Sequence, residues 1–352
     1  MTIGSTPIAS GQAVRVDGAR IAGLVSCIPP RRIDNEYFLE EFGDSVADTT
    51  KMTGVRTRYW VDEGVTASDL CTAAAVSLLD DLAWPRDTVD AIIFVSQTPD
   101  YRLPATAGVI QAKLGLRPAI IGLDINLGCS GYVYGLWLAM TLVGSGAAKR
   151  ALLVVGDTSS SLIDPADRAT AMLFGDAGTA TAIEAGDAQA HFILGTDGRG
   201  ADNLIVPSGA YRSAEHRSSN DPCKLFMDGG EIFNFTLKSV PKLVAETVQF
   251  AGLPIESYDA FLLHQANAFM VNHLAKKAKL PPDKVPMNID RYGNTSSTTL
   301  PLLMTDDLAD RLAREGARLA LFGFGVGYSW GGASLEVGPL ACVKTISYDS
   351  GR

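Results

Sequence analysis

Cys129 stands in Asp124-Ile-Asn-Leu-Gly-Cys-Ser-Gly131, between an apolar run and the apolar stretch Tyr132–Val143. A cysteine where a strand turns into a helix has its sulfur among unpaired N–H groups at the positive end of the helix dipole. That setting favours a thiolate, and the flanking glycines permit a sharp turn and a close substrate. The chemistry on offer is nucleophilic attack on an acyl group; the competing reading is a buried, inert cysteine. His264 follows Ala260-Phe-Leu-Leu263 and precedes Gln265-Ala-Asn267, so it stands at the end of a buried strand, where α/β sheets bind ligands, a place that also suits a purely structural imidazole. Of the four histidines it is the best placed, because His191 and His216 fall in polar surroundings and His273 inside a predicted helix. Asn294, in Tyr292-Gly-Asn-Thr-Ser-Ser-Thr-Thr-Leu-Pro301, offers an amide donor but is equally a natural helix cap. The run Gly323-Phe-Gly-Val-Gly-Tyr-Ser-Trp-Gly-Gly332 allows either close backbone approach to a ligand or tight strand packing. It lacks the spacing of a dinucleotide-binding loop, and no Walker-type GxxxxGK[ST] is present, so hydride transfer and nucleotide hydrolysis have no support.

These residues need elements to hold them, and the pattern of short apolar runs alternating with Ala- and Leu-rich stretches is that of an α/β protein with buried strands. Strands are expected at Ala91–Ser96, Ala119–Ile125, Ala151–Gly156, Ala260–Leu263 and Leu319–Phe324. Helices are expected at Ala67–Leu82, Ala105–Leu114, Ser130–Val143, Glu231–Ala251 and Ala268–Lys279. Two stretches resemble each other. Val89-Asp-Ala91 opens a strand, a helix ends at Lys113-Leu-Gly115, and a second strand leads to Cys129; Tyr258-Asp-Ala260 opens a strand, a helix ends at Lys279-Leu-Pro281, and a second strand is expected to lead to Gly293-Asn294. A duplicated βαβαβ unit follows, with halves 1–186 and 187–352 divided in the polar stretch Glu184–Gln189. In such a duplication Cys129 and Asn294 occupy equivalent helix starts and can meet across the axis between the halves. Ser208–Lys224, rich in Ser, Arg, Glu, Asp and Asn, reads as a solvated surface loop.

The bulk numbers narrow the function classes. With 352 residues, 47% hydrophobic and 20% charged, the chain reads as a soluble globular protein of about two domains, and a net charge of −9 gives no basic field for nucleic acid. Met1–Val16 lacks a basic head followed by an apolar run, so a cytoplasmic location is expected. Tyr132–Val143 falls short of the ~20 residues that span a bilayer, so no membrane is expected. Five scattered cysteines without a CxxC pair fit reduced thiols rather than a disulfide framework or a metal site.

Taken in order along the chain, Thr53-Gly-Val-Arg-Thr-Arg58, Gly-Cys129-Ser-Gly, Asp164-Pro-Ala-Asp-Arg168, Phe174-Gly-Asp-Ala-Gly178, His264-Gln-Ala-Asn267, Gly293-Asn294-Thr-Ser and the glycine-rich run ending Ser329-Trp-Gly331 resemble the β-ketoacyl-acyl-carrier-protein synthase III family over almost the whole length. The resemblance implies a thiolase-like five-layered α-β-α-β-α fold, a homodimer, and Cys129, His264 and Asn294 as a catalytic triad. It implies an acyl-coenzyme A or acyl-carrier donor that acylates Cys129, an oxyanion held by the backbone N–H groups of Cys129 and Val326, and decarboxylative condensation with malonyl-acyl-carrier protein. No cofactor or metal is implied. Arg168 resembles the residue beside the coenzyme A nucleotide, Asn267 one that orients substrate, and Leu103 one that shapes the acyl pocket across the dimer interface. Departures from the family pattern are also present. Asp48 and Met52 stand where typical members carry a tryptophan and an arginine, and Phe269 replaces a carrier-docking arginine, which leaves Lys276, Lys277 and Lys279 as the nearby basic residues. The alternative function is acyl transfer from Cys129 to an alcohol or amine, with His264 as general base.

Overall fold

The computed structural model describes residues 11–212 and 221–349. The first ten residues and, within Ser208–Lys224, residues 213–220 with His216 lie outside the described residues. The strands of the central architecture are β1 Gln12–Ile28, β2 Ala91–Val95, β3 Ile121–Ile125, β4 Arg150–Asp157, β5 Ala177–Thr196, β6 Ala260–Leu263, β7 Ala317–Gly325, β8 Ser329–Val337 and β9 Cys342–Ser347. The helices that cover them are α1 Ala67–Asp81, α2 Thr106–Lys113, α3 Gly131–Gly144, α4 Gly229–Ala251, α5 Ala268–Lys277 and α6 Thr299–Thr305. Strands and helices expected from the sequence stand within two residues or so of these bounds.

Hydrogen bonding runs in the order β6-β7-β8-β5-β4-β2-β3, with β1 paired to β5 and β9. Two long strands serve both ends of this order. Ala177–Glu184 of β5 pairs with β4, whereas Ala190–Thr196 pairs with β8. Beside them β1 changes register between Asp17 and Ala19 and again between Ile21 and Gly23. The polar stretch Glu184–Gln189 is the part of β5 where pairing passes from β4 to β8, so that one continuous ladder supplies both sheet layers.

Alternation of side chains along the strands divides the core into three. Ile93, Val95, Leu153 and Val155 of one sheet and Leu262, Leu319 and Leu321 of the other face a shared middle layer filled by α3 and α6, through Leu136, Met140, Leu300 and Leu303. The opposite faces carry Ile92, Phe94, Leu152 and Val154 against α1 and α2, and Phe261, Leu263, Ala320 and Phe322 against α4 and α5. The result is the five-layered α-β-α-β-α thiolase-like arrangement. Helix α3 is apolar on nearly every side because both of its sides are covered, and each fully buried Leu or Met in that layer stabilises the fold by about 1.5–3 kcal/mol.

One expected strand is missing. The chain reaches Gly293-Asn294 from the short helix Ile289–Tyr292, and Asn294 makes only an isolated parallel bridge with Phe174. Pro281, Pro282 and Pro286 withhold the N–H groups that a ladder would need there.

Candidate active site

Cys129 lies in the turn between β3 and α3, 7% exposed. Ser130, beside it, is tied to Ser329 of β8 by a hydroxyl–hydroxyl hydrogen bond of 2.6 Å. Strand β7 runs against this cysteine so closely that a Cβ on Gly325 would sit 2.8 Å from both Cβ and Sγ of Cys129, so only glycine fits. Burial pushes the thiol up to about 11, and the nearby Asp157 carboxylate pushes the same way. The backbone N–H groups of Val326 and Cys129 and the Ser296 hydroxyl pull it down. Cys129 is therefore held as a protonated thiol. The thiolate expected from the helix start is outweighed by desolvation.

His264 directly follows β6, its backbone N–H donating to the Phe322 carbonyl of β7 at 2.8 Å. The ring is 2% exposed, stands edge-on to Phe324 with centroids 5.6 Å apart, and has Nδ1 2.8 Å from the Thr299 hydroxyl. Burial alone drives its basicity down to about 3, so the imidazole is neutral at any ordinary pH. A neutral imidazole can donate a hydrogen bond without losing a proton, and is a weak base.

Asn294 is buried and fixed on both sides of its peptide, its N–H donating to Leu173 O at 2.9 Å and its carbonyl accepting from Gly175 N at 3.1 Å. Its Oδ1 accepts from Ser296 N at 2.9 Å, which leaves Nδ2 as the donor end of the amide. Rather than a plain helix cap, this is a local turn in which Ser296 takes a left-handed φ of 55°. Such a conformation costs a β-carbon residue about 1–2 kcal/mol, and here it accompanies a side chain that lines the same small cavity as Cys129. Residues 294–299 thus gather the site: Asn294 begins the segment, Ser296 lines the cavity of Cys129, and Thr299 reaches His264.

Asp157, at the end of β4, faces the same small cavity of about 40 Å³ as Cys129, Gln97, Ser296 and Val326. Its Oδ1 accepts from Gln97 N at 2.8 Å and Ser96 Oγ at 3.3 Å, and its Oδ2 from Ser297 Oγ at 2.5 Å and Ser297 N at 3.3 Å. Burial raises this carboxyl above the usual range while those donors oppose the rise. Leu162, Leu204, Leu225 and Val326 join the cavity to a wider cleft of about 850 Å³, which Leu103 also lines. Asp157 and Thr299 lie outside every family motif, while Ser296 and Phe324 lie inside the Gly293-Asn294-Thr-Ser motif and the glycine-rich run without being marked individually; the hydroxyl density of Ser296-Ser-Thr-Thr299 read as capping.

The other expected site residues are more scattered. Asn267 caps α5, its Oδ1 accepting from Met270 N at 2.7 Å. Arg168 is exposed at the start of the short helix Arg168–Ala171. Leu103 is 75% exposed. Lys276, Lys277 and Lys279 are exposed at the end of α5, with Lys277 Nζ donating to Leu237 O at 2.8 Å. At the other end of α5, Phe269 is exposed and stacks on Phe233 at 5.9 Å. Asp48 and Met52 are exposed on the helix Ser45–Thr53, which packs against α5. Among the described residues no helix is long and apolar enough to cross a membrane.

A cysteine at a strand–helix turn, with the single loop 294–299 connecting its cavity to a neutral histidine and an asparagine, within five layers of helix and sheet, defines an enzyme of the thiolase-like class. The family models for 3-oxoacyl-[acyl-carrier-protein] synthase III and for its C-terminal part match residues 123–199 and 248–337. The chain is 34% identical over 324 residues to β-ketoacyl-[acyl-carrier-protein] synthase III 2 of Streptomyces coelicolor, covering 90% of this chain and 93% of that one. It is 35% identical over 351 residues to a putative 3-oxoacyl-[acyl-carrier-protein] synthase 3 of Campylobacter jejuni, covering 95% and 98%. Among solved structures, a 3-oxoacyl-(acyl-carrier protein) synthase from Burkholderia xenovorans superimposes with a TM-score of 0.94 at 57% identity, covering 96% and 99%. The chain belongs to the 3-oxoacyl-[acyl-carrier-protein] synthase III family.

Proposed function

We propose that the enzyme carries out decarboxylative condensation of an acyl-Cys129 intermediate with a malonyl thioester, in fatty-acid initiation or a specialised pathway. The observation that supports the reading is a single loop, 294–299, that begins with the Asn294 amide, holds the neutral His264 ring through Thr299, and lines the cavity of Cys129 through Ser296. The Cys129 thiol attacks an acyl-coenzyme A or acyl-carrier thioester, the backbone N–H groups of Cys129 and Val326 hold the oxyanion, and the departing thiol takes the proton. The malonyl group of malonyl-acyl-carrier protein then loses carbon dioxide. Its enolate oxygen accepts hydrogen bonds from His264 Nε2–H and Asn294 Nδ2–H, and the carbanion attacks the acyl-Cys129 carbonyl; the acyl C–S bond breaks, the 3-oxoacyl thioester leaves, and the freed Cys129 thiolate takes a proton from water. General-base acyl transfer to an alcohol or amine is the weaker reading, because an imidazole held down to about 3 is a poor proton acceptor.

The chemistry draws on the substrates' own thioester and carboxylate and calls for no cofactor. Cys129 belongs to the half 1–186, and His264 and Asn294 to the half 187–352. A homodimer is supported by β3, an edge strand exposed from Gly122 to Asp124 with Leu123 40% exposed, whose Asp124 lines the wide cleft together with the protruding Leu103. Such an edge calls for a covering partner, which would close the wide cleft beside Cys129. Asn267 and Arg168 are proposed substrate contacts, Lys276, Lys277 and Lys279 a carrier-docking patch, and the cytoplasm the compartment. Intact-mass measurement after exposure to acyl-coenzyme A and acyl-carrier donors, followed by peptide mapping, tests the first step. A single adduct on Cys129 is expected; an adduct on Cys71 or Cys223 with Cys129 free sinks the mechanism.

A further inference from the structure

We infer that Thr299 is a positioning residue that donates to His264 Nδ1 and so fixes the histidine in the Nε2–H tautomer, as a hydrogen-bond donor rather than a base. The inference rests on the condensation reading for its functional meaning, but the tautomer itself is independent of it.

A neutral imidazole carries one N–H, and the partner of one nitrogen decides the state of the other. Here Nδ1 and the Thr299 hydroxyl are buried together, 2.8 Å apart. Two arrangements are open. In the first, Thr299 O–H donates to Nδ1, and Nε2 carries the hydrogen. In the second, Nδ1–H donates to Thr299 Oγ, whose own hydrogen must then go to the Ser296 carbonyl at 3.2 Å, and Nε2 is left as a bare lone pair. Two facts favour the first. A separation of 2.8 Å is ordinary for a hydroxyl donor whereas 3.2 Å is long. Moreover, the Ser296 carbonyl already accepts the backbone N–H of Thr299, so it does not need the hydroxyl. Among the described residues no charged group perturbs His264, whose depressed basicity has burial as its one cause. In a Ser-His-Asp triad the carboxylate beside Nδ1 can only accept, which forces Nδ1–H and makes Nε2 a base. A threonine in that place can donate, and the polarity of the ring is reversed.

The test is nitrogen-15 NMR of histidine-labelled enzyme, with the His264 signals assigned by their loss in His264→Gln. Wild-type enzyme is expected to show a protonated Nε2 and an unprotonated, hydrogen-bonded Nδ1. Thr299→Val should remove the hydrogen-bond signature at Nδ1, lower malonyl decarboxylation about tenfold to a hundredfold, and leave acylation of Cys129 within about threefold of wild type. Thr299→Ser should restore both the signature and the rate. A protonated Nδ1 in wild-type enzyme overturns the inference, as does Thr299→Val turning over malonyl thioester at the wild-type rate. Should Thr299→Val fail to fold, the wild-type spectrum and Thr299→Ser still decide. An Nε2–H tautomer in an enzyme that releases no carbon dioxide would uphold this inference and reject the condensation reading.

Discussion

Replacing Gly325 by alanine would place a methyl carbon 2.8 Å from Cβ and Sγ of Cys129. Carbon atoms pack at about 3.5–4.0 Å, so strand or nucleophile must give way by roughly 0.7 Å or more. The strand has little room to move, since Gly325 pairs with Ser329 of β8 and Gly323 lies against the Cys129–Ser130 backbone on the same side. The displacement therefore falls largely on the Cys129 turn. A misplacement approaching 1 Å typically costs about 10²-fold in rate, while overpacking costs about 1–3 kcal/mol of stability. Single-turnover acylation followed by intact mass gives the first quantity, and urea unfolding gives the second. Gly325→Ala is expected to remain folded and to acylate about a hundredfold more slowly. Acylation within about threefold of wild type, with stability unchanged, would refute the close packing of β7 on the sulfur.

Two further predictions concern protons. Asp157→Asn removes a negative charge that pushes the Cys129 thiol up, so the midpoint of its pH-dependent alkylation by iodoacetamide should move to lower pH; a midpoint that stays or rises would show that the carboxylate does not act on the sulfur. His264 is held down to about 3 against an ordinary value near 6.5, so between those pH values the unfolded chain binds a proton that the folded chain refuses. Its contribution is complete above about pH 6.5 and is lost as pH falls toward 3. Urea unfolding at pH 7 and pH 5 should show wild-type enzyme losing more stability than His264→Gln, by up to ~1.4 kcal/mol per pH unit below the unfolded value; equal losses would contradict a buried neutral ring.

The sequence was most legible where side-chain type and burial agree. The apolar runs Ala91-Ile-Ile-Phe-Val95 and Ala260-Phe-Leu-Leu263 could only be buried strands, and the wholly apolar Tyr132–Val143 could only be a covered helix. Strands β1 and β5 escaped notice for the opposite reason. The segment Ala177–Thr196 is rich in Ala, Gly and Thr, and its polar middle looks like a linker because that is where its pairing passes from β4 to β8. Approach to Asn294 was read by analogy with the first half, and prolines defeated the analogy. At the site, the residue types of Cys129, His264 and Asn294 were visible, but their protonation was not. A helix start argues for a thiolate, and only the closed surroundings of Cys129 show that desolvation wins. Asp157, Ser296 and Thr299 act through distance and burial, which a linear pattern does not contain.

The most direct test of decarboxylative condensation is the release of labelled carbon dioxide from carboxyl-labelled malonyl thioester by acyl-loaded enzyme, measured against 3-oxoacyl product in wild-type and Asn294→Ala forms. Wild-type enzyme should release one carbon dioxide per product. Asn294→Ala should lose that release by about 10²–10³-fold, the usual loss for one donor to a developing oxyanion, while still acylating Cys129. Consumption of the acyl-enzyme by an alcohol or amine without carbon dioxide, unaffected by Asn294→Ala and abolished by His264→Ala, would contradict the account.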